Sequence, residues 1–298
     1  MTTLKLNIQK NRIRFSFLDY LILTLVLLLA VVIIYRIKVS LNYKWKWESV
    51  FQYIIRKDTV TGKNLPGLIL NGFAITIKLA IWSTFFALII GIIVGSIRSS
   101  KSAASKFAGF FYVQLARNIP PIVLVFIFYF FAGNYIIAFT GIETAVYNAP
   151  QFIKKIISFL FITPARFPEF LSAIITMSVY EGAYITEIIK AGINSVNKGE
   201  LEAAKALGLG RSRILRHIVL PQAVRFTLPP LAGQFISCIK DCAIMSVISI
   251  PELTFQGLEI ISATYLTFEV WIVVSFLYFI LTFACSFGFE RIFSYSKR

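Results

Sequence analysis

The sequence is poor in charge and in the side chains that do most chemistry. It has 298 residues, and only 15% are Asp, Glu, Lys or Arg. Soluble domains carry about a quarter. There is one histidine, His217, and there are three cysteines, Cys238, Cys242 and Cys285. Cys238 and Cys242 share a helix face, but no His or Cys set stands nearby to complete a zinc site. No nucleophile, base and orienting group recur together, which argues against an integral-membrane enzyme. No G-x-x-x-x-G-K-[ST] stretch occurs, so the chain has no P-loop for a nucleotide. There is no low-complexity segment and no internal repeat.

What the sequence has instead is apolar bulk. Hydrophobic residues make up 57% and phenylalanine occurs 29 times. One core cannot hide that much, so the bilayer is the solvent. The net charge of +16 could suit nucleic acid. The basic residues flank apolar runs, however, and no stacking platform accompanies them, so no nucleic-acid partner is expected. Membrane lipids are.

A spanning helix needs about 20 apolar residues. Six runs qualify: roughly Phe17–Tyr35, Leu68–Ile97, Gly109–Ala132, Phe167–Ile193, Phe226–Ile250 and Phe268–Ile292. The expected fold is therefore an all-α polytopic membrane helix bundle with about six spans. Lys10, Arg12 and Arg14 precede the first run, which has no cleavage site behind it and reads as an uncleaved anchor. Lys and Arg are denser in 1–16, 98–108, 190–225 and 291–298 than in the alternate loops, so both termini are expected in the cytoplasm. The loop 36–67 breaks that rule and holds "KWKW", an interfacial anchor. The loop 250–267 has Glu252 and Glu259 but no base. Within 133–167, Gln151–Phe161 is too short to span and reads as an interfacial or re-entrant helix.

One segment between two spans is highly charged: "ELEAAKALGLGRSRILRHIVLP", Glu200–Pro221. Leu201, Ala204 and Leu207 recur at helical spacing and predict a small apolar face. Ala203 and Ala204 lack bulk and allow close approach by a partner. Gly208 and Gly210 can end the helix, Ser212 can cap a second one, and Pro221 is expected to stop it. Arg211, Arg213, Arg216 and Arg225 could bind lipid phosphate, but lipid binding leaves the alanines and glycines unexplained. The spacing describes two short helices with a sharp bend, shaped to be held.

Polar residues inside spans are functional candidates. Tyr184 and Glu187 share a face of the fourth span. They could meet an ammonium, or Glu187 could pair with Lys190. Gln234 and Asp241 lie on one stripe of the fifth. Asp241 could instead bond a neighbouring helix. Arg117 precedes the Pro120–Pro121 break, where it could attract a carboxylate or cap freed carbonyls. Gly91 and Gly95 permit close helix packing and give weak support for a dimer contact.

The order Glu202, Ala203, Ala204, then Gly208, then Ile218, Leu220 and Pro221 resembles the EAA loop of ABC importer permeases. "RNIPPIVLVFIFYF" from Arg117, "YEGAYITEIIKAGINSVNKG" from Tyr180 and "LPPLAGQFISCIKDCAIMSVISIPEL" from Leu228 resemble the polar amino-acid branch (His, Glu, Gln, Arg and opine). The resemblance implies an ABC type I, MetI-like permease core over 66–292, with the EAA loop at 198–221. Residues 1–65 would be an anchor helix and extracytoplasmic loop, and 293–298 a cytoplasmic tail. It also implies partners. An ATPase subunit dimer would bind ATP and Mg and grip the loop, so this chain would carry no cofactor and no metal. A second permease chain, identical or homologous, would complete the pore. A periplasmic or extracellular binding protein would deliver a polar amino acid across a bacterial inner membrane. Where Gln234 stands the family often has Glu, which speaks against a strictly cationic substrate. A membrane scaffold or sensor on the same fold is the alternative.

Overall fold

The computed structural model describes residues 16–40, 43–58, 62–100 and 102–296. Lys10, Arg12 and Arg14 lie outside them. The chain divides into two units, Met1–Lys46 and Trp47–Arg298. The first contains one helix, α1 (Phe17–Ser40). Its described apolar stretch is Phe17–Leu29.

The second unit opens with α2 (Trp47–Ile54) and a two-stranded antiparallel hairpin, β1 (Ile55–Lys57) with β2 (Asn64–Pro66). Then come α3 (Leu68–Arg98), α4 (Ala103–Asn118), α5 (Pro121–Thr140) and α6 (Ile142–Tyr147). The order continues with α7 (Gln151–Leu160), α8 (Phe167–Asn194) and α9 (Lys198–Ala206). It ends with α10 (Arg211–Ile248), α11 (Leu253–Thr264) and α12 (Thr267–Ser296).

Among the described residues, four helices are long and apolar enough to cross a bilayer: α3, α5, α10 and α12. The α7–α8 pair makes a fifth if its 67° bend is one broken span. The expected continuous run Gly109–Ala132 is in fact two helices. Ile119 is extended, Pro120 and Pro121 follow it, and the apolar span is α5. A residue before proline is driven out of the helical region, which is why the chain breaks there. The fifth run is longer than expected. α10 begins at Arg211, well before Phe226. The stretch 250–267 is not an open loop either: α11 buries Leu253, Gln256, Gly257 and Ile260. Its start is capped by Glu252, which accepts from Phe255 N at 2.7 Å and from the Tyr278 hydroxyl at 2.8 Å. A carboxylate can stay buried there because donors from two helices surround it.

The centre of the bundle is the parallel pair α3 and α8. Small residues let their backbones approach. A Cβ on Gly91 would strike Ile185, one on Gly95 would meet Ile189, and one on Gly182 would fall 2.9 Å from Ile90 Cγ2. The Ser178 hydroxyl lies 3.2 Å from the Ser83 carbonyl across the same seam. Gly91 and Gly95 are therefore occupied within the chain, and are not a dimer contact. In lipid, close packing of this kind replaces the hydrophobic drive between helices. α5 joins the seam where Gly133 passes Ser172 so closely that no Cβ would fit. α10 crosses α8 at Gly192, which sits against Thr227. Leu79, Phe170, Ile174, Met177, Ile239 and Met245 fill the middle. The outer faces of α12 and α3 expose Phe276, Phe279, Phe283, Phe85 and Ile93 to lipid.

Gly91→Val should lower the melting temperature of the detergent-solubilised chain, because overpacking costs about 1–3 kcal/mol. Gly288→Ala, with open space around it, should leave it unchanged. Equal melting of the two variants would contradict the seam.

Candidate functional site

Two regions carry the candidate residues. The first is the elbow formed by α9 and the start of α10. Asn197 caps α9 by accepting from Gly199 N at 2.9 Å. Ala204 is buried against Val196, Ile214 and Val219, with Leu201, Leu209 and Ile218 packed around them. Gln222 Nε2 donates to Glu200 Oε2 at 2.5 Å, tying α9 to α10. The helix then stops at Gly208, whose φ is +72°. Gly208 N bonds the Lys205 carbonyl at 2.9 Å and Leu209 N bonds the Ala204 carbonyl at 3.1 Å. A left-handed residue at this position satisfies carbonyls that the helix end leaves open. A Cβ on Gly208 would touch nothing, so the need for glycine is conformational.

The elbow departs from expectation in three places. Leu207 is 81% exposed, so the inward face consists of Leu201 and Ala204 and ends one turn early. Gly210 occupies the cap position of α10, with no side-chain cap, and Ser212 lies inside the helix. Pro221 does not stop the chain. A π turn over Leu215–Val219 comes just before it, and the helix runs on. The wider turn leaves room for a ring that donates no N–H. Glu202, Ala203, Leu207, Gly208, Leu220 and Pro221 are all exposed, while Ala204 and Ile218 face inward. These exposed positions are small or apolar except for Glu202, and Glu200, Lys205, Arg211, Arg213 and Arg216 are exposed around them. His217 is exposed, with Nδ1 3.1 Å from the Arg213 carbonyl.

The second region is a polar strip in the bundle. Glu181 is fully buried on α8. Its Oε2 accepts from Gln234 Nε2 of α10 at 2.7 Å. Asp241 faces the same carboxyl. The Tyr180 and Tyr184 hydroxyls are 3.3 Å apart, and the Arg117 guanidinium lies 5.3 Å from the centre of the Tyr184 ring. Arg117, Tyr184, Gln234 and Asp241 therefore belong to one strip built by α4, α8 and α10.

Glu187 does not belong to it. One carboxylate oxygen pairs with the Arg98 guanidinium at the end of α3, and the other is 4.0 Å from Lys190 Nζ. The sequence did not single out Arg98, and it marked Glu181 only as a charge within the fourth span, without a role. Glu181 stands inside an apolar helix, a signal in itself. Its partner Gln234 is 53 positions away, and only the crossing of α8 with α10 joins them. Among the described residues, the second carboxylate oxygen of Glu181 has no hydrogen-bond partner. Among the described residues, no three His, Cys, Asp or Glu side chains could hold a metal ion.

Spanning helices around a buried polar strip, with an exposed helical elbow at one end, define a polytopic membrane subunit. Residues 87–296 match the model of the family described as binding-protein-dependent transport system inner membrane component. The chain belongs to that family, the permeases of ABC importers. It is 30% identical over 219 residues to a probable glutamine ABC transporter permease protein, GlnM, of Bacillus subtilis, covering 74% of this chain and 88% of that one. It is 31% identical over 225 residues to the glutamine transport system permease protein GlnP of Escherichia coli K12, covering 76% and 91%. Among solved structures, a chain of an amino acid ABC transporter crystallised with histidines superposes with a TM-score of 0.63 at 25% identity, covering 85% of this chain and 99% of that one. A chain of the inward-facing MetNI methionine ABC transporter superposes at 0.58 and 20% identity, covering 78% and 97%, and shares the fold.

Gln234→Leu should destabilise the folded chain by about 1–3 kcal/mol, because it strips a fully buried carboxylate of its donor. The double variant Glu181→Leu with Gln234→Leu should recover most of the loss. A thermal-melting series that showed the double variant worse than the sum of the singles would break the pairing.

Proposed function

We propose that this chain is the permease of a binding-protein-dependent importer that carries polar amino acids across a bacterial inner membrane, powered by ATP hydrolysis on a separate subunit. The observation that carries the reading is mechanical. The exposed elbow is stapled through Ala204 and Glu200 to α10, and α10 continues from Arg211 to Ile248 past Gln234 and Asp241. A partner that seats Glu202, Ala203 and Leu207 in a groove and moves them would move the polar strip as well. The elbow faces the cytoplasm in this reading, as do both termini. A second permease chain would close the path, and a binding protein would deliver substrate at the opposite end. Residues 66–292 are then the transport domain, 1–65 an anchor helix with an extracytoplasmic loop, and 293–298 a tail.

The strip offers an amino acid complementary groups. Arg117 suits a carboxylate. The Glu181 and Asp241 carboxylates suit an ammonium. Gln234 and the Tyr184 hydroxyl suit a polar side chain, and the glutamine relatives support an amide among the substrates. Glu187 takes another role: paired to Arg98, it fastens α8 to α3 at the end nearest the elbow. ATP and Mg would be held by the ATPase subunits.

The test is capture of partners from gently solubilised membranes, read by mass spectrometry. The native chain should bring down an ATPase with a P-loop. Gly208→Val, which forces a β-branched residue to a positive φ, should cut that recovery on the order of tenfold, about 1.4 kcal/mol of docking energy, while the chain still inserts. No ATPase with the native chain, or undiminished recovery with the variant, would overturn the reading.

A further inference from the structure

A cavity of about 540 Å³ lies at the elbow end of the bundle, between the end of α3, the start of α4 and the end of α8. Neither the polar strip nor the elbow uses it. Its walls are of two kinds. Arg98, Lys106 and Lys190 make one of them cationic, with Asn194 beside them. Phe107 and Phe110 of α4 make the other, and they are 70% and 48% exposed.

The charges do not cancel. Among the described residues, no carboxylate lines the cavity. Glu187 lies behind Arg98 and is shared between Arg98 and Lys190. Lys106 has no ion-pair partner among the described residues. Three cations thus face one carboxylate that is already engaged. The Arg98 side chain is 5% exposed. Its stem packs where Gly109 leaves room, and its guanidinium lies 6.0 Å from the centre of the Phe110 ring. It is a fixed group with its position set by three helices, unlike a surface arginine.

The depth also matters. The apolar run of α3 ends at Arg98, so the cationic wall sits where hydrocarbon gives way to headgroups. Phe107 and Phe110, one turn apart on α4, present apolar surface beside it. A ligand that suits both walls has an anionic phosphate head and an acyl tail. We propose that this cavity binds the phosphate of an anionic phospholipid such as phosphatidylglycerol. Basic pockets between helices at a membrane edge recognise such headgroups through the sum of short-range charge and local acyl packing. Lys190 and Asn194 lie on the last turns of α8, just before the Asn197 cap of α9. A bound headgroup would brace the root of the elbow. That regulatory consequence rests on the importer reading; the binding itself does not.

Free phosphate shares the anion chemistry, and the experiment separates the two. The full chain, purified in a neutral detergent, is titrated with dioctanoyl-phosphatidylglycerol, with dioctanoyl-phosphatidylcholine, and with inorganic phosphate, and binding is read by thermophoresis. Phosphatidylglycerol should bind at least about tenfold more tightly than the other two. Each of Lys106→Gln and Lys190→Gln should weaken it about fivefold, the value of one basic residue near an anionic surface. Lys205→Gln on the outside of α9 should not. Lys106 is exposed on α4, so its variant keeps the fold, checked by melting, and the test stands on it alone. Equal affinity for the two lipids, or native affinity in the Lys106 variant, would overturn the proposal. Inorganic phosphate binding as tightly as phosphatidylglycerol would also overturn it, leaving a simple phosphate site. Because no ATPase is present, these outcomes are independent of whether the elbow docks one.

Discussion

Everything in the bundle depends on how closely α3 and α8 approach. Gly91 and Gly95 receive Ile185 and Ile189, and Gly182 receives Ile90. A bilayer gives helices no hydrophobic reason to associate, so contact must come from shape and from polar atoms. The seam supplies both, with Ser178 meeting the Ser83 carbonyl midway. Once the two helices are fixed in register, the rest is placed. Arg98 meets Glu187 at one end. Thr76, further back on α3, accepts from Leu253 N at 3.0 Å and seats α11. Glu181 is turned inward toward α10.

The second constraint is the cost of a charge without water. A buried carboxylate is tolerable only when donors surround it. Glu252 has three, two backbone amides and the Tyr278 hydroxyl, and it is a structural cap. Among the described residues, Glu181 has one donor and one oxygen without a partner. The contrast separates a carboxylate that completes the fold from one that the fold leaves underfilled. In the proposed importer the underfilled one is where a passing ammonium gains most, since the protein has not already satisfied it.

How much of this was legible in the sequence follows from what each feature depends on. The apolar runs around α3, α8 and α12 could be read directly, because span length is a local property. The Gly208 bend was legible for the same reason: one residue type fits a positive φ. Local rules failed where longer context overrode them. Pro221 looked like a stop, but the π turn before it absorbs the ring. Leu207 fitted the apolar period, yet it points outward because α9 ends at Gly208 before a further inward turn can form. The apolar run across Pro120 reads as one span, but the proline pair divides it. Tyr184 and Glu187 are three apart and were grouped together, but their partners lie on α4 and α3, in different directions. The roles of Arg98 and Glu181 are not legible because each is defined by a partner at a distance, 89 and 53 positions away.

The position of α10 links these points. It begins in the elbow and ends beside Glu181, so it touches both candidate regions. It carries Pro229 and Pro230 in its interior. Each proline removes a backbone hydrogen bond and eases bending. They fall between the elbow and Gln234. A wholly rigid rod would transmit a push at Arg211 undiminished to Asp241. A rod softened at its middle can instead tilt its elbow half while the half beside Cys238, Ile239 and Cys242 stays locked in the core. The two halves then differ in freedom, and the polar contact nearest the soft point, Gln234 with Glu181, is the one such a tilt would open first.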